Sequence, residues 1–320
     1  MIKKLILIFW CFFMFTGCYD QNDIENIKSI ALICVDEENL YFCSAAPVKD
    51  ENKYNYEIYS VKTDNLYYGI NKLTQITGKE ISLSHIEAMI FSDKCNYNNI
   101  KKCINSLLKD TNSHPKVMTA FFKGEVKSIL DMISNTEYSN LSEHIDYILT
   151  NKYITTTKCT ARQLSCALNF DVPGYCVPLI SISNDNVVIR ESVFVNNFGM
   201  QYIDEPVTSL INLINNKNGR DYVLYDGKAI PVILLNSKKY LDETGAEVIL
   251  NFGDLKNKKI IEYFNNEIKN FYKNGYDLLG FGELLNKKFV DEKSKNTFLS
   301  EFNDFQGWIR QLNVNIEVTE

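Results

Sequence analysis

Four arginines in 320 residues, Arg162, Arg190, Arg220 and Arg310, are few and scattered, and the formal net charge is −6. Nucleic-acid binding needs clustered cations set against phosphates, so that function is excluded. The chain has no CxxC pair, and its three histidines, His85, His114 and His144, share no zinc-ligand spacing with any cysteine. No metal site is implied. Gly280-x-Gly282 lacks the third glycine of a dinucleotide fingerprint and follows a helical pattern rather than a strand, so no cofactor is implied either. No apolar run reaches the roughly 20 residues that cross a hydrocarbon core. No fixed-period repeat and no low-complexity stretch occurs.

What is present begins at the N-terminus. Lys3 and Lys4 precede a 12-residue apolar run, Leu5 to Thr16, which gives way to Gly17-Cys18 and then to Asp20-Gln21-Asn22-Asp23. A charged start, a short apolar stretch and small residues before a cut site are the parts of a secretory signal. Small residues directly before a cysteine fit a bacterial lipobox, in which the Cys18 thiol takes a diacylglycerol and becomes the mature N-terminus. An uncleaved anchor or an ordinary signal peptide would leave Cys18 unexplained. Two acyl chains hold a protein to a bilayer stably where one does so only weakly. Cleavage leaves 303 residues and takes the charge from −6 to −8 with the loss of Lys3 and Lys4. The folded part is therefore expected on the extracytoplasmic face of the membrane.

Seven cysteines follow: 34, 43, 95, 103, 159, 166 and 176. An odd count leaves at least one thiol free, and small buried hydrophobes are the expected role. Cys159 and Cys166, on a predicted helix over 158–169, would stand roughly 10 Å apart, beyond disulfide reach.

The pattern predicts a mixed α/β (α+β), multi-domain chain with sheets flanked by helices. Residues 1–17 are the signal peptide, 18–27 a tether and 28–183 an N-terminal α/β domain. Residues 184–320 form a C-terminal α/β region, divisible into 184–225 and a sheet-and-long-helix part over 226–320. Strands are expected at 29–35, 40–45 and 54–61. A helix capped by Asp64 would carry Leu66, Ile70, Leu73 and Ile76 on one face and stop at Gly78. Strand–helix pairs follow at 87–91 and 100–108, and at 116–122 and 125–133, the alternation of an α/β layer. Helices are expected at 143–150 and 158–169, with a boundary near Asn184. Beyond it come a strand at 187–195, a helix around Pro206 to Ile214, and strands at 229–235 and 247–252. Pro231 argues that the first of these last two is an edge strand. A long helix at 256–273 bears Ile261, Phe264, Ile268 and Phe271 as a core stripe. Helices at 278–285 and 298–309 and a strand at 313–318 close the chain.

Several segments, in order, resemble the C-subunit lipoproteins of bacterial spore germination receptors. Gly17-Cys18-Tyr19-Asp20 with Asp23-Ile24 is similar to that family's N-terminal motif, with Tyr19 in place of Trp. His85 to Phe91 resembles its His-led strand. Val117–Phe122 with Lys123-Gly124-Glu125 resembles a later strand turning into a helix, and 191–213 the hairpin and helix that open its C-terminal half. Asp277-Leu278-Leu279-Gly280-Phe281-Gly282-Glu283 resembles the Asp-x-x-Gly-x-Gly-Glu segment after its long helix. The resemblance implies a non-catalytic, lipid-anchored receptor subunit of the spore inner membrane. Its implied partners are two integral membrane subunits of A and B type, and its role lies in receptor assembly and nutrient-triggered germination. Cys18 is the one site residue, the lipid attachment point.

Two other classes compete. A solute-binding lipoprotein of a transporter would have a flexible Gly/Ser-rich tether and two similar lobes, whereas this tether is acidic and the halves differ. An envelope hydrolase would use Ser106-x-x-Lys109 as nucleophile and base. Its companion motifs are missing: Ser183-Asn184-Asp185-Asn186 has the wrong order, and no Lys-Thr-Gly occurs.

Overall fold

The computed structural model describes residues 26–47, 54–110, 115–135, 158–170, 174–183, 186–216, 219–241, 245–253, 258–289 and 291–319. Cys18, His114, His144 and the helix expected at 143–150 lie outside the described residues.

A nine-stranded mixed sheet organises the first part of the chain. Its strands are β2 (Leu32–Val35), β3 (Asn39–Pro47), β4 (Tyr54–Lys62), β6 (Ala88–Ser92), β7 (Met118–Phe122), β8 (Cys159–Thr160), β9 (Tyr175–Ser183), β10 (Asn186–Asn196) and β11 (Gly199–Ile203). They run in the order β11-β10-β9-β7-β6-β2-β3-β4, with β8 paired to β7 beside that path. The centre, β2, β6, β7 and β9, is parallel, and both flanks are antiparallel hairpins. Parallel pairs need helical crossovers, and those helices bury both sheet faces. β6 and β7 are accordingly buried along their whole length. Alternate residues feed two cores. Ile33, Met89, Phe91 and Phe121 meet α1 (Leu66–Thr77), α2 (Tyr97–Lys109) and α4 (Ala161–Asn169). Cys34, Ile90, Ala120 and Phe122 meet α3 (Val126–Asn135) on the opposite face.

Some expectations shift here. The strand expected at 29–35 is two. β1 (Ile27–Ser29) pairs in parallel with β5 (Glu80–Ser82) in a separate two-stranded sheet, and β2 starts afresh at Leu32. Asn65, not Asp64, caps α1 by accepting from the Tyr68 N–H at 3.1 Å, and Gly78 closes the helix at φ 66° as predicted. Ile76 is 60% exposed rather than core-facing. Gly69 lets the helix approach the sheet so closely that an added Cβ would stand 2.9 Å from Leu40 and 3.0 Å from Phe42. The buried face is thereby centred on Leu66, Gly69 and Leu73. Cys159 is in β8, because Thr160 forms a capping box with Gln163 and starts α4 only at Ala161. The boundary expected near Asn184 falls between β9 and β10, which pair along their length, and this sheet continues to Ile203.

The second part is a four-stranded sheet in the order β12 (Gly219–Tyr225), β13 (Lys228–Leu241), β14 (Ala246–Phe252), β15 (Val314–Thr319). Asp226 and Gly227, at φ 52° and 69°, form the two-residue turn between β12 and β13. Positive φ at both positions suits the right-handed twist of a hairpin. β13 is not an edge strand, but it is staggered: β12 pairs with 228–234 and β14 with Leu234 and 236–241. At Pro231 only the β12 flank is paired, which is how a residue without an N–H is tolerated.

One face of this sheet, through Ala246, Val248, Leu250 and Phe252, packs on α5 (Glu205–Asn216) and α6 (Lys258–Lys273). The α6 stripe is Ile260, Phe264, Ile268 and Phe271, with Ile261 beside it only half-buried. Three short helices finish the chain: α7 (Phe281–Lys288), α8 (Glu292–Ser300) and α9 (Phe305–Gln311). The helix expected at 298–309 is thus broken, with Asn303 at φ 74° and Asp304 capping α9 through the Gly307 N–H at 2.6 Å. No helix among the described residues is long and apolar enough to cross a membrane.

Candidate functional site

The Asp277–Glu283 segment is where the chain places its one fully buried carboxylate among the described residues. Gly275, at φ 82°, ends α6, and the chain turns back so that Asp277 is 2% exposed beneath the start of α7. A buried carboxylate is tolerated only with its acceptors filled. Oδ1 accepts from the Tyr272 hydroxyl at 2.8 Å and the Phe281 N–H at 2.8 Å, and Oδ2 accepts from the Gly282 N–H at 2.7 Å. The Tyr272 oxygen in turn accepts from the Leu279 N–H at 3.0 Å, while the Lys239 ammonium donates to the Leu279 carbonyl. The carboxylate thus satisfies the otherwise orphaned N–H groups of the first turn of α7, where negative charge is also favoured by the helix dipole.

Both glycines of the segment have distinct reasons. Gly280 precedes α7 in the left-handed conformation at φ 76°. Gly282 has ordinary backbone angles, but a Cβ there would lie 2.6 Å from Phe305 Cζ and 3.1 Å from Asp277 Oδ2. Tyr272 and Phe281 stack edge-on with centroids 5.9 Å apart, and Phe305 packs on Trp308 at 5.6 Å. Burial raises the Asp277 carboxyl above its usual value, and the hydrogen bonds from Gly282, Tyr272 and Phe281 and the charge of Lys239 oppose that rise. Enclosed in this way, the group touches no solvent-borne molecule. Its chemistry is the fixing of a turn.

Other residues singled out in the sequence stand apart from this segment. Ser106 is half-buried on α2 and Lys109 is exposed in its last turn, and neither has a hydrogen-bond or ion-pair partner among the described residues. His85 is exposed in the turn before β6, and its side chain makes no hydrogen bond among the described residues. None of the seven described cysteines forms a disulfide among the described residues. Burial pushes the thiols of Cys43, Cys95, Cys103, Cys159 and Cys176 up to about 12, and raises that of Cys34 well above its usual value. No group of three metal-ligating side chains gathers among the described residues.

Two exposed regions among the described residues stand apart from the Asp277–Glu283 segment. At the root of the tether, Lys28 on β1 reaches Glu57 on the edge strand β4, and the Tyr59 hydroxyl donates to the same carboxylate. The hydrogen bond from Lys28, then that from Tyr59, holds Glu57 below its usual value. At the far end, the uncovered face of the four-stranded sheet exposes Tyr222 (62%), Leu235 and Tyr240. The signal that could have exposed β12 in the sequence is Asp226-Gly227, a hairpin dipeptide. The role of Tyr272 had no such signal, since it depends on the buried Asp277 carboxylate that the turn after α6 brings to its hydroxyl.

Residues 20–181 match a family model described as the spore germination protein N-terminal domain. The solved structure described as the crystal structure of the GerBC protein is similar over 89% of this chain and 95% of that one, with a TM-score of 0.47 at 8% identity. No curated protein matches the chain.

Proposed function

Because the chain belongs to the spore germination protein family marked by this N-terminal domain, we propose that it is a non-catalytic, lipid-anchored subunit of a germinant receptor. In this reading Cys18 carries a diacylglycerol on the extracytoplasmic face of the spore inner membrane. The folded body assembles with the receptor's two integral membrane subunits, and their response to nutrients depends on that assembly. The observation that carries the reading is the place where the family match begins, at residue 20, two residues after Cys18. The family domain starts where an acylated mature chain would start. The family also gives the reason to prefer a receptor subunit over a transporter's solute-binding protein.

The test is Cys18→Ala in spores. The expected outcome is loss of the chain from the membrane fraction or accumulation of an uncleaved precursor, together with loss of the nutrient response. Normal processing and membrane retention would refute the lipid anchor. A normal nutrient response in spores lacking the whole chain would refute the receptor role. Ser106→Ala and Lys109→Ala should each leave germination intact. Loss in both, with folding preserved, would point to hydrolase chemistry.

A further inference from the structure

We propose that the outer face of α1 lies on the bilayer that holds the tether, a contact that rests on the anchored reading above. The first observation is geometric. Asn26, the first described residue, lies eight residue steps after Cys18, so the tether root stands at most about 29 Å from the lipid-bearing residue. That root is fastened to the end of α1. The Asn26 carbonyl accepts from the Glu80 N–H at 2.8 Å, and β1 pairs with β5 immediately after Gly78 and Lys79. Among the described helices, α1 is therefore the one that leads directly into the strand paired with the tether root.

The second observation is chemical. Tyr68, Lys72 and Ile76, spaced i, i+4 and i+8, form one row on the helix, with Tyr67 beside it. Tyr68 is 50% and Ile76 60% exposed, and the Lys72 ammonium lies over the Tyr68 ring at 5.7 Å from its centroid. From Asn65 to Lys79 the chain carries two lysines and no acid, although its net charge is −6. Of the flanking acids, Asp64 is paired with Lys102 at 3.2 Å. A row of tyrosine, lysine and isoleucine on a helix lying flat suits the boundary between headgroups and acyl chains. The rings and the isoleucine enter there, and the lysine stem reaches back toward phosphate. A helix of 12 residues would present about 18 Å of such surface.

The mature chain holds a single tryptophan, Trp308, buried in the C-terminal part, so a new indole reports its own surroundings. Tyr68→Trp keeps an exposed aromatic and leaves the core untouched. Tyr222→Trp serves as the comparison on the open sheet face. The natively processed full chain is bound to vesicles of phosphatidylglycerol and phosphatidylethanolamine with brominated acyl chains. In the Tyr68→Trp variant, most of the emission of the new indole should be lost. The emission of the new indole in Tyr222→Trp, and that of Trp308 in the parent chain, should hold. Vesicle-bound Tyr68→Trp protein without quenching, or quenching of the Tyr222→Trp variant instead, overturns the proposal. So does shielding of the indole at position 68 from an aqueous quencher only when the integral subunits are present, which would assign the face to protein. Mass analysis of the N-terminus separates the two readings. A membrane-bound chain with an unmodified Cys18 refutes the lipid but keeps the short tether, and quenching then still decides. A chain that does not sediment with the vesicles refutes both.

Discussion

The two sheets of this chain solve the same problem differently. The nine-stranded sheet is covered on both faces, and its central strands are apolar end to end, so its interior is built from Phe91, Phe121, Phe122 and their neighbours with small polar exceptions such as Thr119. Among the described residues the four-stranded sheet is covered on one face only, and α7 beside it depends on a buried carboxylate to fill its first-turn N–H groups. Between them lies α5, buried on every side from Val207 to Ile214, with Thr208 hydrogen-bonded to Ser192 of the larger sheet at 2.9 Å. A parallel sheet closed on both faces has little left to offer a partner. A sheet with one bare face, bearing Tyr222 and Tyr240, keeps its capacity for contact at the cost of a more specialised core.

The sharpest way to break this contrast is Asp277→Ala. It strands the Tyr272 hydroxyl and two backbone N–H groups, each worth about 1–3 kcal/mol when left buried and unpaired. A loss of about 4 kcal/mol is expected, read as lost amide protection in α7 and the end of α6 with protection kept in β6 and β7. Equal loss in both parts would make them one cooperative unit and end the comparison. Gly282→Val comes next. Its side chain enters the space of Phe305, and overpacking of this kind costs about 1–3 kcal/mol. Urea unfolding should show a lower midpoint before any loss of partner binding. An unchanged midpoint with lost germination would instead make the segment a contact surface.

Within the first part, Asn65→Ala removes the α1 cap and should cost about 1 kcal/mol, seen as a small midpoint shift with β12–β15 protection unaltered. The smallest effect concerns pH. Since burial, ahead of the opposing hydrogen bonds, puts the folded Asp277 carboxyl above its ordinary 3.8, its protonated form favours the fold. That contribution is complete below the unfolded value and fades as pH rises through the folded one. Relative to Asp277→Asn, the parent chain should therefore gain stability on acidification. An identical pH dependence in the two proteins would show that Asp277 titrates no differently once folded.

Much of the first part is legible because parallel strands announce themselves: short apolar runs alternate with helical ones, and β6 with α2 and β7 with α3 fall close to where the pattern puts them. The errors have physical sources. Counting apolar residues places Ile76 in the core, but the face is chosen by Gly69, whose contribution is the absence of a side chain. β12 escapes such a reading because an outer strand alternating polar and apolar residues over so few positions carries a weak signal, and only its turn is distinctive. The Asp277 segment is visible as a motif but not as a device, since its meaning depends on Tyr272 one turn back and Phe305 far along the chain. Cys18 rests on the sequence alone.

The lack of disulfides among the described residues has a further consequence, one of durability. A protein braced by disulfides can be loosened by a reductant, and one with exposed thiolates can be scrambled by an oxidant. Among the described residues there is no such bond to cut, and the six thiols raised by burial are held in the protonated form, which is a poor nucleophile. Over long waiting times, the described part of this body has no disulfide for a reductant to cut, and six of its thiols are kept from ready oxidation by burial.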